Sequence, residues 1–273
     1  MIPAKFDYER ADSVDAAVAA LQQHGDDAKL LAGGHSLLPL MKLRLAAPSV
    51  LVDIGRISEL SYVRDGGDHV AIGALTRHHD VANDATLASE CPIVSHTAGL
   101  IGDPQVRHMG TIGGSVAHGD PASDMPTVLL ALDASFVTKG TNGERTIAAG
   151  EFFSGLFETA LNADEVLTEI RVPKIAGRGW SYQKFNRRAQ DWAIVGAIAI
   201  RNGSPRVALV NMGSTPVRAH AVELALAGGA SNADAAKHAD EGTEPPSDLN
   251  ATTDFRRHLA RVLVRRALDA ASA

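Results

Sequence analysis

The sequence predicts an α+β fold in two parts, and three observations carry that reading. The opening stretch forms a compact β–loop–α–β pattern around a glycine pair. Turn signals at Asp65-Gly66-Gly67-Asp68 and Asn142-Gly143 place antiparallel hairpins in the middle of the chain. Past Pro173 and the flexible Ala176-Gly177-Arg178-Gly179, the pattern changes to three short strands followed by helices. A domain boundary is therefore expected near residues 173–178. With 273 residues the chain can form one large domain or two modest ones, each burying its own core.

Each element has a local reason. Residues 13–24 predict an amphipathic helix: Ser13 is the expected N-cap, Val14, Val18 and Leu21 share a face, and Gly25 falls just past the end. Lys29 to Ala32 make a short buried strand that stops at Gly33-Gly34. Ser36 is placed to cap the next turn, which carries Leu37, Leu40 and Met41, and Val50 to Ile54 make a second strand. Tyr62-Val63 and Val70-Ala71-Ile72 flank the first hairpin, and helical patterns cover 77–84 and 92–101. A glycine-rich loop at 109–115 precedes a helix with Met125, Val128, Leu129 and Leu132, and Val166 to Val172 form a strand stopped by Pro173.

In the second part, strands are expected at 180–185, 193–201 and 206–212. Asn202-Gly203-Ser204-Pro205 joins the last two as an antiparallel hairpin. Helices are expected at 217–227, 231–240 and about 252–270. Thr253 is the expected cap of the last, and Phe255, Leu259, Val262, Leu263 and Ala267 its buried stripe. Glu244-Pro245-Pro246-Ser247 is a loop by composition.

Composition excludes several function classes. A net charge of −6 argues against a nucleic-acid partner. The pairs Arg187-Arg188, Arg256-Arg257 and Arg265-Arg266 are expected to be solvated. The single cysteine, Cys91, rules out a disulfide framework, a thiolate zinc site and a self-contained iron–sulfur cluster. Cys91 precedes a proline at a helix start and is expected to be a buried structural thiol, although a helix N-terminus can lower a thiol pKa. No stretch resembles a signal peptide and none is long enough to span a bilayer, so a soluble cytoplasmic chain is expected. His78-His79 diverge on a helix and cannot easily share a metal, and no H-x-x-x-H occurs. The G-x-G-x-x-G fingerprint, the P-loop and the G-x-S-x-G elbow are all missing from the sequence.

Two glycine segments remain. Leu30-Leu31-Ala32-Gly33-Gly34-His35-Ser36 and Met109-Gly110-Thr111-Ile112-Gly113-Gly114-Ser115 each set a glycine pair in a loop at the end of an apolar run. Successive backbone N–H groups without a Cβ in the way form an anion site, and two such segments can converge on one dinucleotide. His35, Ser36, Thr111 and Ser115 add side-chain donors. Asp124 would repel a diphosphate, so its expected role is to accept from a ribose hydroxyl or a ring edge.

The run Leu31-Ala32-Gly33-Gly34-His35-Ser36-Leu37-Leu38-Pro39-Leu40-Met41-Lys42-Leu43-Arg44 resembles the flavoprotein subunit of the molybdenum hydroxylases. Asp103-Pro104-Gln105-Val106-Arg107, Gly110 to Ser115, Glu165 to Pro173, and Gly179 through Ala193 extend the resemblance over nearly the whole chain. Within the family the likeness is to the medium subunit of the aerobic carbon monoxide dehydrogenase type. The resemblance implies a two-lobed FAD-binding fold of the vanillyl-alcohol oxidase type over 1–175, with lobes of about 1–55 and 56–175. A small α+β C-terminal domain with a three-stranded antiparallel sheet and helices would follow over 176–273.

It implies FAD contacts from 31–38, from Ile101, from Thr111 to Ser115, and from Asp124, Leu167, Lys184 and Trp192. Lys184 would stabilise the reduced, anionic flavin. Where Ser115 stands, many relatives carry an acidic or amide residue, so the contact at that position differs. The implied partners are an iron–sulfur small subunit with 2Fe–2S clusters and a large subunit with the molybdenum cofactor. A dimer of heterotrimers is implied, peripheral to the inner face of the membrane. Electrons would pass to an external acceptor such as a quinone. Two alternatives stay open: a sister hydroxylase acting on an N-heterocycle, aldehyde or aromatic thioester, and a stand-alone NAD(P)H-dependent flavin reductase.

Overall fold

Three short strands begin the chain, and only the one that lies in the centre of their sheet opens with three consecutive buried apolar residues. In a computed structural model, which describes residues 2–272, β1 (Asp7–Arg10), β2 (Ala28–Leu31) and β3 (Val50–Asp53) pair in parallel in the order β1-β3-β2. Met1 and Ala273 lie outside the described residues. Val50, Leu51 and Val52 are buried, as a central parallel strand requires. β1 reads Asp-Tyr-Glu-Arg and is exposed at every residue, so hydrophobic patterning gives no sign of it. α1 (Val14–His24) is capped by Ser13, whose side chain accepts from the Ala16 N–H at 3.1 Å. α2 (Leu37–Lys42) follows the first glycine pair, but Ser36 does not cap it. Its backbone is already helical at φ −104° and ψ −51°, whereas a capping side chain needs an extended residue.

The middle of the chain forms a five-stranded antiparallel sheet in the order β4-β5-β10-β6-β7. The strands are β4 (Val63–Asp65), β5 (His69–Gly73), β6 (Ser135–Gly140), β7 (Gly143–Ala148) and β10 (Val166–Pro173). Both hairpins lie where the turn signals put them. Six helices connect β5 to β6: α3 (His78–Asn83), α4 (Ala85–Glu90), α5 (Pro92–Gly99), α6 (Pro104–Met109), α7 (Ile112–His118) and α8 (Asp124–Ala131). They bury Ile93, Ile112, Met125 and Leu129 with Ile72, Phe136 and Ile170 of the sheet. After α9 (Ala149–Phe152), a two-stranded ribbon of β8 (Phe153–Gly155) and β9 (Glu158–Thr159) leads into β10.

The second glycine segment is not the loop that the sequence predicts. Thr111 caps α7 by accepting the Gly114 N–H at 3.0 Å, so Gly113, Gly114 and Ser115 form the first helical turn. Gly113 is there for packing. A Cβ at that position would fall 2.5 Å from both the Cβ and the carbonyl oxygen of Ala74.

The last part is a four-stranded antiparallel sheet rather than the expected three: β11 (Trp180–Phe185), β12 (Val195–Ile200), β13 (Arg206–Val210) and β14 (Val217–Arg218). Val217-Arg218 reads as the head of a helix by pattern. It pairs instead with Leu209 and Ala208, and α10 (His220–Ala227) begins only after it. α11 (Asn232–Ala235) and α12 (Thr253–Ala271) complete the fold. Every residue of β12 is buried. Ile198 and Ile200 join the core of the middle sheet, while Val195, Ala197 and Ala199 join a second core under α12.

Thr252, not Thr253, caps α12, accepting the Phe255 N–H at 3.3 Å. Leu259, Leu263 and Ala267 are buried as expected, but the stripe is completed by Arg256, Ala260, Val264 and Leu268 rather than by Phe255 and Val262. Phe255 is 42% exposed. Arg256, expected to be solvated, is buried because its guanidinium has partners inside: the Ile194 carbonyl and the Asp248 carboxylate at 2.7 Å. Leu263→Ala should therefore cost about 3 kcal/mol in denaturant unfolding, and Phe255→Ala less than half of that. Equal losses would contradict the observed stripe.

Candidate cofactor site

One cavity of about 800 Å³ lies between the first sheet, the helices after β5 and the start of the C-terminal sheet. That volume lies in the upper range of pockets that enclose a whole ligand. Gly33 and Gly34 wall it on one side, with Thr111, Gly113, Gly114 and Ser115 nearby and Asp124, Lys184, Asp191 and Trp192 farther along. The two glycine segments touch. A Cβ on Gly33 would lie 2.1 Å from the Met109 carbonyl oxygen, so only glycine lets the chains meet there. Arg77 donates to the same carbonyl. The His78 N–H donates to Gly110 O and the Ile112 N–H to Thr76 O, both at 3.0 Å, pinning the starts of α3 and α7 side by side.

The segments differ in what they offer a ligand. Among the described residues, the N–H groups of Gly33, Gly34, His35 and Ser36 meet no backbone carbonyl. The His35 ring folds back, its Nδ1 2.9 Å from Gly33 O. In the second segment the backbone donors are engaged: Gly113 N–H with Ala74 O at 2.9 Å, Gly114 N–H with Thr111 Oγ1, and Ser115 N–H with Thr111 O at 3.1 Å. The expected row of free N–H groups there is thus replaced by the hydroxyls of Thr111 and Ser115 and a bare Cα at Gly114. A Cβ on Gly114 would meet only the Thr111 hydroxyl, at 2.8 Å.

Ala32, Gly33, Gly34, His35, Ser36 and Leu37 line the cavity, and so do Ile101 and Leu167. Three of the expected residues do not. Leu31 ends β2, paired with Asp53 of β3. The Leu38 side chain packs under Gly34, whose φ of +73° turns the chain there. Ile112 is wholly buried in the protein core. Trp192 is on the wall and 58% exposed, beside Asp191, which Arg188 approaches to 3.3 Å.

The strongest electrostatic feature is a buried pair. Asp124 is the first residue of α8, and Lys184 reaches it from β11 with Nζ 2.7 Å from Oδ2; the side chains are 5% and 8% exposed. Tyr182, two residues earlier on the same face of the strand, donates its hydroxyl to Oδ1. Burial pushes the Asp124 carboxyl above the ordinary carboxylate range, and the Lys184 and Tyr182 donors pull against that. Lys184 also donates to the Leu100 carbonyl at 3.3 Å, which leaves one of its three N–H groups for the cavity. Both Asp124 oxygens already accept from protein donors, so a ligand hydroxyl would take a remaining lone pair.

Sequence reading missed Tyr182; the alternation Tyr182-Gln183-Lys184 in a strand was its available signal. It also missed His78, which lines the cavity with Nε2 3.0 Å from Ser115 Oγ. Cys91 is fully buried at a helix start, donates to Pro173 O at 3.3 Å, and has its pKa pushed up to about 11 by burial. The helix start does not activate it.

Lys184→Met leaves the Asp124 carboxyl buried without its cation, at a cost of about 3–5 kcal/mol where that carboxyl is ionised. The folded-state titration of Asp124 already lies above the ordinary range and rises further without Lys184. A group raised on folding favours the folded state while protonated, and that support is lost as pH rises through its folded-state value. The deficit of the variant should therefore be small near about pH 4 and grow toward neutrality in denaturant melts. A deficit independent of pH would contradict this account.

Comparison with known proteins agrees with this architecture. The family model described as the FAD binding domain in molybdopterin dehydrogenase matches residues 4–175, and that of the CO dehydrogenase flavoprotein C-terminal domain matches 180–271. The chain is 44% identical to the carbon monoxide dehydrogenase medium chain of Hydrogenophaga pseudoflava, over 99% of this chain and 98% of that one. It is 39% identical to the glyceraldehyde dehydrogenase medium chain of Sulfolobus acidocaldarius, over 98% of each. A solved structure of carbon monoxide dehydrogenase from Hydrogenophaga pseudoflava superposes with a TM-score of 0.96 at 46% identity, covering 100% of this chain and 99% of that chain.

Proposed function

Because the chain belongs to the family of FAD-binding medium subunits of the molybdenum hydroxylases, we propose that its cavity holds FAD between the two glycine segments and the Lys184–Asp124 pair. One observation carries the placement. Two glycine segments far apart in sequence wall a single cavity of about 800 Å³, and their contact requires Gly33 to lack a Cβ. The residues fit the group. The unengaged N–H groups of Gly33 to Ser36 and the hydroxyls of Thr111 and Ser115 suit a diphosphate. Gly114 leaves room for it, and the spare N–H of Lys184 faces the same space. Ile101, Leu167 and Trp192 supply apolar wall, with Trp192 toward solvent.

The chain is an oxidoreductase subunit of this family, with the molybdenum and iron–sulfur cofactors on partner subunits. When bound, FAD supplies the redox chemistry, accepting electrons from the iron–sulfur partner and giving them to an external acceptor. The protein's part is to grip the diphosphate, place a buried cation near the cofactor and leave Trp192 and Asp191 at an open edge. The proposed overall reaction is oxidation of carbon monoxide to carbon dioxide on the large subunit. We take residues 1–175 as the FAD-binding part and 176–273 as the C-terminal part, in a dimer of heterotrimers at the inner face of the membrane with a quinone-type acceptor. No helix among the described residues is long and apolar enough to cross a membrane. A sister hydroxylase is the second reading, because the glyceraldehyde dehydrogenase relative is nearly as similar over the same span.

The test is the visible spectrum of the complex under anaerobic conditions. Bleaching of the flavin bands by carbon monoxide is the expected result. Bleaching by dithionite alone would keep the family and discard the substrate, and rapid bleaching of the isolated chain by NAD(P)H would favour a reductase. Gly114→Val, which fills the space beside Thr111, should abolish flavin retention while circular dichroism shows the fold intact. Full retention would move the cofactor away from the second segment.

A further inference from the structure

His78 has no role in the reading above, yet it sits at the seam between the two segments. It opens α3, and its N–H bond to Gly110 O brings its ring beneath α7. Gly110 makes room for it: a Cβ there would stand 3.1 Å from His78 Cδ2. The ring is 2% exposed, with Nε2 3.0 Å from Ser115 Oγ and Nδ1 buried without a partner. We propose that His78 is a positioning residue that donates its Nε2–H to Ser115 Oγ, so that the Ser115 hydroxyl keeps its own proton for the cofactor diphosphate. The proposal rests on the placement of FAD given above.

The tautomer follows from the unpartnered atom. With hydrogen on Nδ1, a buried N–H would have no acceptor. With hydrogen on Nε2, the only unmet group is a lone pair, and orphaned buried N–H groups are the rarer and costlier case. Burial, with Arg107 and His35 nearby, holds the ring neutral with a pKa lowered to about 4. Ser115 Oγ therefore accepts from His78, and its hydroxyl proton is free to turn toward the cavity. The Ser115 N–H is engaged within α7, so this hydroxyl is the donor the residue has left. His78 and Ser115 together present one directed O–H donor to the cavity.

The experiment uses the chain in its complex and measures flavin per chain and the FAD dissociation constant after controlled dilution. Ser115→Ala and His78→Phe should each weaken FAD binding about tenfold, the size of one hydrogen bond to a charged group. The double variant should be no weaker than either single one, because the two residues act through one donor. His78→Gln places an amide N–H where Nε2 stands and should restore binding close to the wild-type value. Equal weakening in His78→Gln and His78→Phe would reduce His78 to packing and overturn the proposal. So would wild-type binding in His78→Phe beside weakened binding in Ser115→Ala. Absence of FAD from the wild-type complex would instead remove the flavoprotein reading on which the proposal depends.

Discussion

An ammonium and a carboxylate taken out of water are each costly unless they meet in good geometry. Lys184 and Asp124 meet at 2.7 Å, with Tyr182 on the second carboxylate oxygen and Leu100 O on the ammonium. The pair joins β11 of the C-terminal sheet to the first residue of α8, so one interaction fixes the last wall of the cavity against the helices that carry the second glycine segment. Apolar packing makes this geometry available. Ile198 and Ile200 enter the same core as Met125 and Leu129, and β11 is hydrogen-bonded along β12 from Trp180 to Phe185. A strand so anchored can hold an ammonium in place with little further loss of side-chain freedom.

The glycines divide into two physical roles. Gly33 and Gly113 let protein approach protein: one brings the first segment onto Met109, the other brings α7 onto Ala74. Gly114 faces mostly open space and leaves volume for a ligand. The helical conformation of the second segment follows from the capping hydroxyl of Thr111, which engages the very N–H that a loop would have exposed. The first segment therefore offers backbone N–H groups to the cavity, whereas the second offers hydroxyls.

Much of this was legible in the sequence. Ser13, the two hairpin signals and the apolar run of β12 mark their elements because each acts locally, through a cap, a turn or a buried strand. The glycine segments do meet at one cavity, and most of the residues expected beside them, from Ala32 to Trp192, lie on its wall, although they make up less than half of that wall. What escaped depends on partners distant in sequence. β1 is polar and exists because β3 pairs with it; β14 is two residues long and exists because β13 does. Arg256 looks like a surface residue until Ile194 O and Asp248 are placed around it. Ile112 stands within the second glycine segment, yet its side chain belongs to the core. Tyr182 shares a strand face with Lys184, but the partners that give Tyr182 and His78 their place, Asp124 and Ser115, lie 58 and 37 residues away.

The burial of β12 on both faces has a consequence for how this chain can change. The sequence breaks cleanly near Pro173, and composition alone invites the view that the two parts are separable modules. Energetically they are not. Cutting the chain there would expose the face of Ile198 and Ile200 to water and leave Asp124 inside α8 without its cation. The two parts therefore share a core and an ion pair, and a C-terminal part borrowed from a relative would fit only if it brought both the apolar face and a lysine at the matching place in its first strand.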